Sequence, residues 1–264
     1  MIKQQNKFKI DYTDQRTMQA MKTGRRLRYF RKRAGLSQFD VELEIGAASG
    51  SISRIENGVT NANKETLNAI ADVLEMSLLE REYTYGKRMD PPSEEDVTKA
   101  VESVRELFNK PWVFGYMIDD RYRVWKASNL FIKLSGVSKK EYENVYGRSL
   151  LDIALDPEWG GKFVDKNTYE ETIKHLLDLY YSECGYMVDD PIYLDTIEKI
   201  KKVKFAWNYW NKIIKSKPLD FNHHDNRTVK FNFHGIKVPI KFSTIPFYKD
   251  ERFMVIEYIL TSKL

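Results

Sequence analysis

The stretch LSQFDVELEIGAASGSISRIENG, residues 36 to 58, leaves this chain few ways to fold. Ser37 is an N-cap for a helix over Gln38 to Ile45, in which Val41 and Ile45 fall four residues apart on one face. Gly46 turns the chain. Ile52 and Ile55 then predict a helix from about Ala48 to Glu56, ended by Asn57 and Gly58. Two such short helices cannot bury their apolar stripes alone, and helical neighbours stand on both sides. One is expected from about Thr23 to Ala34, with Leu27, Phe30 and Ala34 inward and Gly35 as its stop. The other, Lys64 to Leu74, places Leu67, Ile70, Ala71 and Leu74 inward. No strand pattern precedes residue 110.

Aromatic usage shows that this helical part is not the whole molecule. All five Trp, at 112, 125, 159, 207 and 210, follow Pro111, which implies two cores of different make-up in a chain of 264 residues. The joint falls in KRMDPPSEED, residues 87 to 96, where Pro91-Pro92 stops one helix and Ser93 starts a connector helix running to about Asn109. The expected organisation is an N-terminal arm over 1–22, a helical domain over 23–80, a linker and connector helix over 81–110 and a second domain over 111–264. Hydrophobic residues at 42% and charged residues at 31% fit a folded, soluble protein. No apolar run approaches the roughly 20 residues of a membrane span and the first twenty residues lack a signal-type core, so the expectation is a cytoplasmic protein with no membrane partner. A lone Cys184 allows no internal disulfide.

The formal charge is only +5, yet residues 22 to 36 hold seven Lys or Arg and no acid. Such a run suits phosphate, or else is a solvated helix face.

The second domain reads as mixed. WVFGYMID and DRYRVWKAS form a hairpin about Asp119-Asp120, and LFIKLSG, KKEYENVYG and SLLDIALD are short helices. Longer helices follow at about Thr168 to Ser182 and Ile192 to Lys215. Alternation at Val229, Phe231 and Phe233, then at Ile236, Val238, Ile240 and Phe242 after a His234-Gly235 turn, leads with RFMVIEYIL into a closing meander. Pro239 suits an edge strand or a bulge. The fold class is α+β in two domains, an all-helical N-terminal bundle and a C-terminal antiparallel sheet with helices.

The segments RRLRYFRKRAGLSQFDVELEIG, SISRIENG and ETLNAIADVL resemble the helix-turn-helix domain of the XRE type, the Cro and phage-repressor fold. The resemblance implies that the second motif helix lies in the major groove of operator DNA. Carried over by position, Gln38 and Asn57 touch phosphate, and Ser49, Gly50, Ser51 and Arg54 face base edges. Arg54 is the one long donor, suited to guanine. Ser49 and Ser51 can bond to bases or phosphate, and Gly50 lets the backbone approach; specificity then rests on Arg54, thymine methyls and DNA shape. The chain departs from the pattern at Ala48, where a polar N-cap is common, and at 49 and 50, where longer side chains are usual. Arg25, Arg26 and Arg28 on the preceding helix lie near the end that could approach the DNA backbone, although some of them must point away because a helix shows only one face. For Arg54 the alternative is a surface ion pair with Glu56 or Asp40.

PWVFGYMIDDRYRVWKASNLFIKLSG, FAWNYW and the final meander look like the PAS-like ligand-binding domain of MmyB-like transcription regulators. That resemblance implies a small apolar, fatty-acid-like ligand. Phe205, Trp207 and Trp210 concentrate rings on one segment, and Trp125, Phe131, Phe233 and Phe242 could face them across the sheet to line a pocket, with ordinary core packing as the alternative. His175, His223, His224, His234 and Cys184 lack zinc-type spacing, and no phosphate loop, nucleophile elbow or dinucleotide fingerprint is present. The expectation is a homodimeric, sequence-specific transcriptional regulator with no cofactor, no metal and no enzymatic activity. The alternative is a DNA-anchored adaptor that receives another protein and holds no small ligand.

Overall fold

In the computed structural model the chain is α+β, helical first and then an antiparallel sheet with helices. The structure describes residues 15–87, 90–160, 169–215, 229–233 and 236–260, with backbone alone at 15–17, 229–233, 236–240 and 260. Contacts divide it into two compact units, one of residues 1–89 with 186–189 and one of the remainder.

The first unit contains α1 (Gln15–Arg33), α2 (Gln38–Glu44), α3 (Ser51–Glu56), α4 (Lys64–Val73) and α5 (Leu78–Thr84). Short polar side chains start α2, α4 and α5. Ser37 and Ser77 make capping boxes with Asp40 and Glu80, and Asn63 accepts from the Thr66 amide. Leu27, Phe30, Val41, Ile52, Ile70 and Leu74 are buried as their spacing requires, whereas Ala34, expected inside, is exposed because α1 has already ended. Helix α1 begins at Gln15 rather than about Thr23, so residues 15–22 of the expected arm are helical; residues 1–14 lie outside the described residues. Helix α5 is an addition. Its signal is the Ser77-x-x-Glu80 box before Tyr83, which is 5% exposed.

The second unit begins before the sheet. Helix α6 (Glu94–Phe108), capped by Ser93, was expected as a connector, but Ala100, Val104 and Phe108 bury against Val113, Met117, Phe253 and Val255. The strands are β1 (Gly115–Asp119), β2 (Val124–Ala127), β3 (Val229–Phe233), β4 (Ile236–Pro246) and β5 (Phe253–Leu260), in the order β2-β1-β5-β4-β3, all neighbours antiparallel. Alternation sorts the side chains. Met117, Phe253 and Val255 join α6, while Tyr116, Ile118, Val124 and Ile256 join a second cluster with Phe131 of α7 (Asn129–Ser135), Tyr142 of α8 (Lys139–Glu143) and Ile153 of α9 (Leu150–Leu155). The β1–β2 register shifts beside Met117 and Ile118, leaving Trp125 as the extra residue of a bulge.

Two expectations need correction. Strand β4 is internal, between β5 and β3, so Pro239 is not on an edge strand; among the described residues it pairs with Lys230 of β3. The expected helix from Ile192 to Lys215 is two helices, α11 (Pro191–Lys201) and α12 (Lys204–Ile213), following α10 (Tyr169–Cys184). Neither Pro nor Gly marks the break. Packing does: Tyr193 and Trp210 ring centroids lie 6.4 Å apart, whereas seventeen residues of unbroken helix would separate them by roughly 25 Å.

One ion cluster secures the start of this unit. Arg121, 2% exposed, donates to Asp120 at 2.7 and 2.8 Å and to Asp190, the N-cap of α11, at 3.1 and 3.2 Å. Removing the cation strands two buried carboxylates. Arg121→Ala should therefore destabilise this unit by about 3–5 kcal/mol, measured by urea unfolding followed through tryptophan fluorescence, since all five Trp belong to this unit.

Candidate nucleic-acid interface

The seating of α3 on α1 begins at a missing side chain. A β-carbon on Gly24 would lie 2.3 Å from the Ile55 carbonyl oxygen and 2.7 Å from that of Glu56, so the two helices meet backbone to backbone. The Glu56 carboxylate then ties three helices together. It accepts from Arg31 Nε at 2.5 Å and Nη2 at 3.0 Å, from Arg28 Nε at 3.2 Å and from Gln38 Nε2 at 2.8 Å, with its side chain 1% exposed. Burial pushes its pKa up, but the hydrogen bonds from Arg31 and Gln38 and the guanidinium charge outweigh that and hold the carboxyl below its ordinary range.

At the other end of α3 the cap comes from outside the helix. Gly50 is the N-cap residue in a left-handed conformation, φ 78°, and has no side chain to bond with. Glu42 of α2, buried, accepts from the Ile52 amide at 3.0 Å. Helix α3 thus starts at Ser51 rather than about Ala48, and Ser49 and Gly50 occupy the preceding turn, both exposed. Ser51 differs from expectation more sharply. Its hydroxyl oxygen is buried with no hydrogen-bond partner among the described residues, rather than exposed as a base contact requires.

The remaining expected contacts separate by how their side chains are engaged. Arg54 is exposed and makes no ion pair among the described residues; Glu56 is occupied by α1 and α2, and Asp40 accepts from its own N-cap amide at 2.7 Å. Arg25 is also exposed and unpaired among the described residues. Arg26, by contrast, is half-buried over the Tyr83 ring at 3.7 Å and donates to Asp189 at 3.0 and 3.2 Å, all within the first unit. Gln38 is held by Glu56. Asn57 is exposed, accepts from Arg28 Nη2 at 2.6 Å and donates to the Ser53 carbonyl at 2.8 Å. Of the seven basic residues in the run, Arg26, Arg28, Arg31 and Arg33 are paired with Asp189, Glu56 and Glu80, which leaves Lys22, Arg25 and Lys32 without an ion pair among the described residues. Sequence reasoning missed the roles of Glu42 and Glu56, for which an acid inside each motif helix, close to an arginine-rich neighbour, was the available signal; Arg28, expected near the DNA backbone, instead donates to Glu56 and Asn57.

The aromatic residues expected to line one pocket fall in three places within the second unit. Phe131 and Phe242 share one cluster, in which Phe131 has Phe114, Tyr116 and Tyr258 at centroid distances of 5.4, 5.2 and 6.0 Å. Burial pushes the Tyr116 phenol up to about 12, and its hydroxyl lies 2.9 Å from that of Tyr258. Trp125 packs on the opposite face with α6 and donates to Asp119 at 2.9 Å. On α12, Trp210 packs on Tyr180, Tyr181 and Tyr193, Phe205 meets Tyr169, and Trp207 lies under the Lys201 ammonium. The Phe233 side chain lies outside those described, as do His223, His224 and His234.

Two helices joined through a glycine turn, the second seated on α1 and keeping a polar, exposed side, define a helix-turn-helix unit. A family model described as a helix-turn-helix domain matches residues 23–83, from within α1 to the last turn of α5. This is the fold of DNA-binding regulators. No curated protein matches the chain. Among the described residues no helix is long and apolar enough to cross a membrane.

Because the folded pKa of Glu56 lies below its ordinary value of 4.5, its stabilisation is fully present above that value and is lost as pH falls through the lower, folded one. Glu56→Gln should cost the helical unit on the order of 3 kcal/mol at neutral pH and progressively less at acid pH. The check is thermal unfolding by far-ultraviolet circular dichroism across pH, taking the transition that tryptophan fluorescence does not follow.

Proposed function

We propose that the chain is a sequence-specific transcriptional regulator of the XRE type, which binds an operator in double-stranded DNA and has no enzymatic activity. The observation that carries this reading is Arg54. In a unit where most arginines are committed to acids, this one is exposed on the second motif helix with no ion pair among the described residues. Such a guanidinium is free to make a bidentate contact to guanine, worth about 1–3 kcal/mol of discrimination. Arg25, on α1, is the candidate phosphate contact and adds affinity without sequence information. Ser49, Gly50 and Asn57 offer short or backbone groups beside Arg54. Arg26, Gln38 and Ser51, being committed or turned inward, support the frame of the site.

The second unit is proposed as a PAS-like, MmyB-like regulatory domain of a cytoplasmic protein. Its hairpin-first, meander-last sheet with helices between supports that reading. In it, a small apolar, fatty-acid-like ligand alters the arrangement of a homodimer whose reading helices match half-sites about 34 Å apart. A second reading, in which this domain receives another protein and holds no small ligand, draws on the direct ring contacts around Phe131 and Trp210. Native mass spectrometry separates the two. A mass added to the subunit favours sensing, bare subunits favour the adaptor, and the assembly mass tests the dimer.

Selection from randomised duplexes should return a motif for the wild-type protein. Arg54→Ala should flatten preference for that motif, whereas Arg25→Ala should weaken cognate and random DNA alike and reduce the slope of log K against log salt by about one. Equal effects of both on cognate and random DNA would remove this division of roles.

A further inference from the structure

We propose that Glu42 is a positioning residue that fixes where the reading helix begins and, through that, which base edge Arg54 addresses. The inference rests on the DNA-reading function proposed above and deepens it.

Helix α3 has six residues, too few for propensity to determine its limits. Other helices of the unit are capped by the residue that precedes them: Ser37 for α2, Asn63 for α4 and Ser77 for α5. Gly50 precedes α3 and offers no side chain, and its φ of 78° takes it out of the extended conformation from which a capping side chain normally reaches forward. Ser49 and Ser51 do not fill the gap, since the first is exposed in the turn and the hydroxyl of the second bonds to nothing among the described residues.

The missing acceptor comes from the neighbouring helix. Glu42 is 5% exposed, and a carboxylate so buried is costly unless it is hydrogen-bonded. Its Oε1 receives the Ile52 amide at 3.0 Å, a charge-assisted bond at the positive end of α3. The side chain of Ile52 is itself 2% exposed, so this residue is held through both its backbone and its side chain. Arg54 lies two residues further along the same turn. The Arg54 amide closes this first turn on the Gly50 carbonyl at 3.2 Å, so losing the cap lets the turn that carries Arg54 unwind, enough to take a guanidinium off its base edge. The buried Ile52 and Ile55 and the Gly24 contact fix which face of α3 turns inward; the bond from Ile52 to a neighbouring, buried acid fixes where its first turn begins.

The test uses the full chain and duplex DNA. After the wild-type motif has been selected from randomised duplexes, E42A should hold mixed-sequence DNA within about threefold of wild type but lose about tenfold or more of its preference for the motif, the scale of one base contact. E42Q, whose amide oxygen can still accept from Ile52, should keep the preference. Hydrogen exchange read by nuclear magnetic resonance should show the Ile52 amide losing protection in E42A and retaining it in E42Q. Wild-type preference in E42A overturns the proposal, as does preference lost only in proportion to the folded fraction. If E42A does not fold, E42D takes its place, keeping the charge one methylene short; retained preference there is equally fatal. If the wild-type protein selects no motif, it is the DNA-reading function that fails, and Ile52 exchange in E42A and E42Q still reports whether the cap exists.

Discussion

A single carboxylate organises the helical unit. Glu56 sits at the end of α3, nearly without solvent, and receives donors from α1 and α2. A buried charge is tolerable only when its partners surround it, and those partners are drawn from the basic run that looks, in sequence, like a surface for phosphate. The run therefore has two roles divided by helix face. Arg28 and Arg31 turn toward Glu56, Arg33 toward Glu80 and Arg26 toward Asp189, and only the outward positions remain for a polyanion.

The second unit is built on a different constraint, the two-residue period of a sheet covered on both sides. Strand β1 carries it most clearly, since Tyr116 and Ile118 enter one cluster and Met117 the other. This is why α6 belongs to the fold of this unit and is more than a spacer. Its apolar stripe has a sheet face to cover, and its spacing at Val97, Ala100, Val104 and Phe108 suits that task.

What was legible in the sequence was whatever depends on near neighbours. Caps at Ser37 and Ser93, the glycine turns, and the strands β4 and β5 are local, and they appear where the residues imply. What was not legible depends on partners distant along the chain. The distribution of the pocket candidates over two sheet faces and a separate helix layer follows from topology, and the break before Lys204 follows from Trp210 folding back onto Tyr193. At the interface the same division holds. The exposed position of Arg54 follows from motif spacing, while the capture of Gln38 and Arg26 depends on Glu56 and Asp189, which lie elsewhere in the chain.

The glycine at position 24 has a mechanical meaning. Where side chains separate two helices, small tilts are absorbed by rotamer changes. Here the carbonyls of Ile55 and Glu56 rest directly on the α1 backbone, with no such cushion between them. The joint between α1 and α3 is therefore stiff, and a tilt of α3 against α1 meets backbone rather than a side chain that can give way.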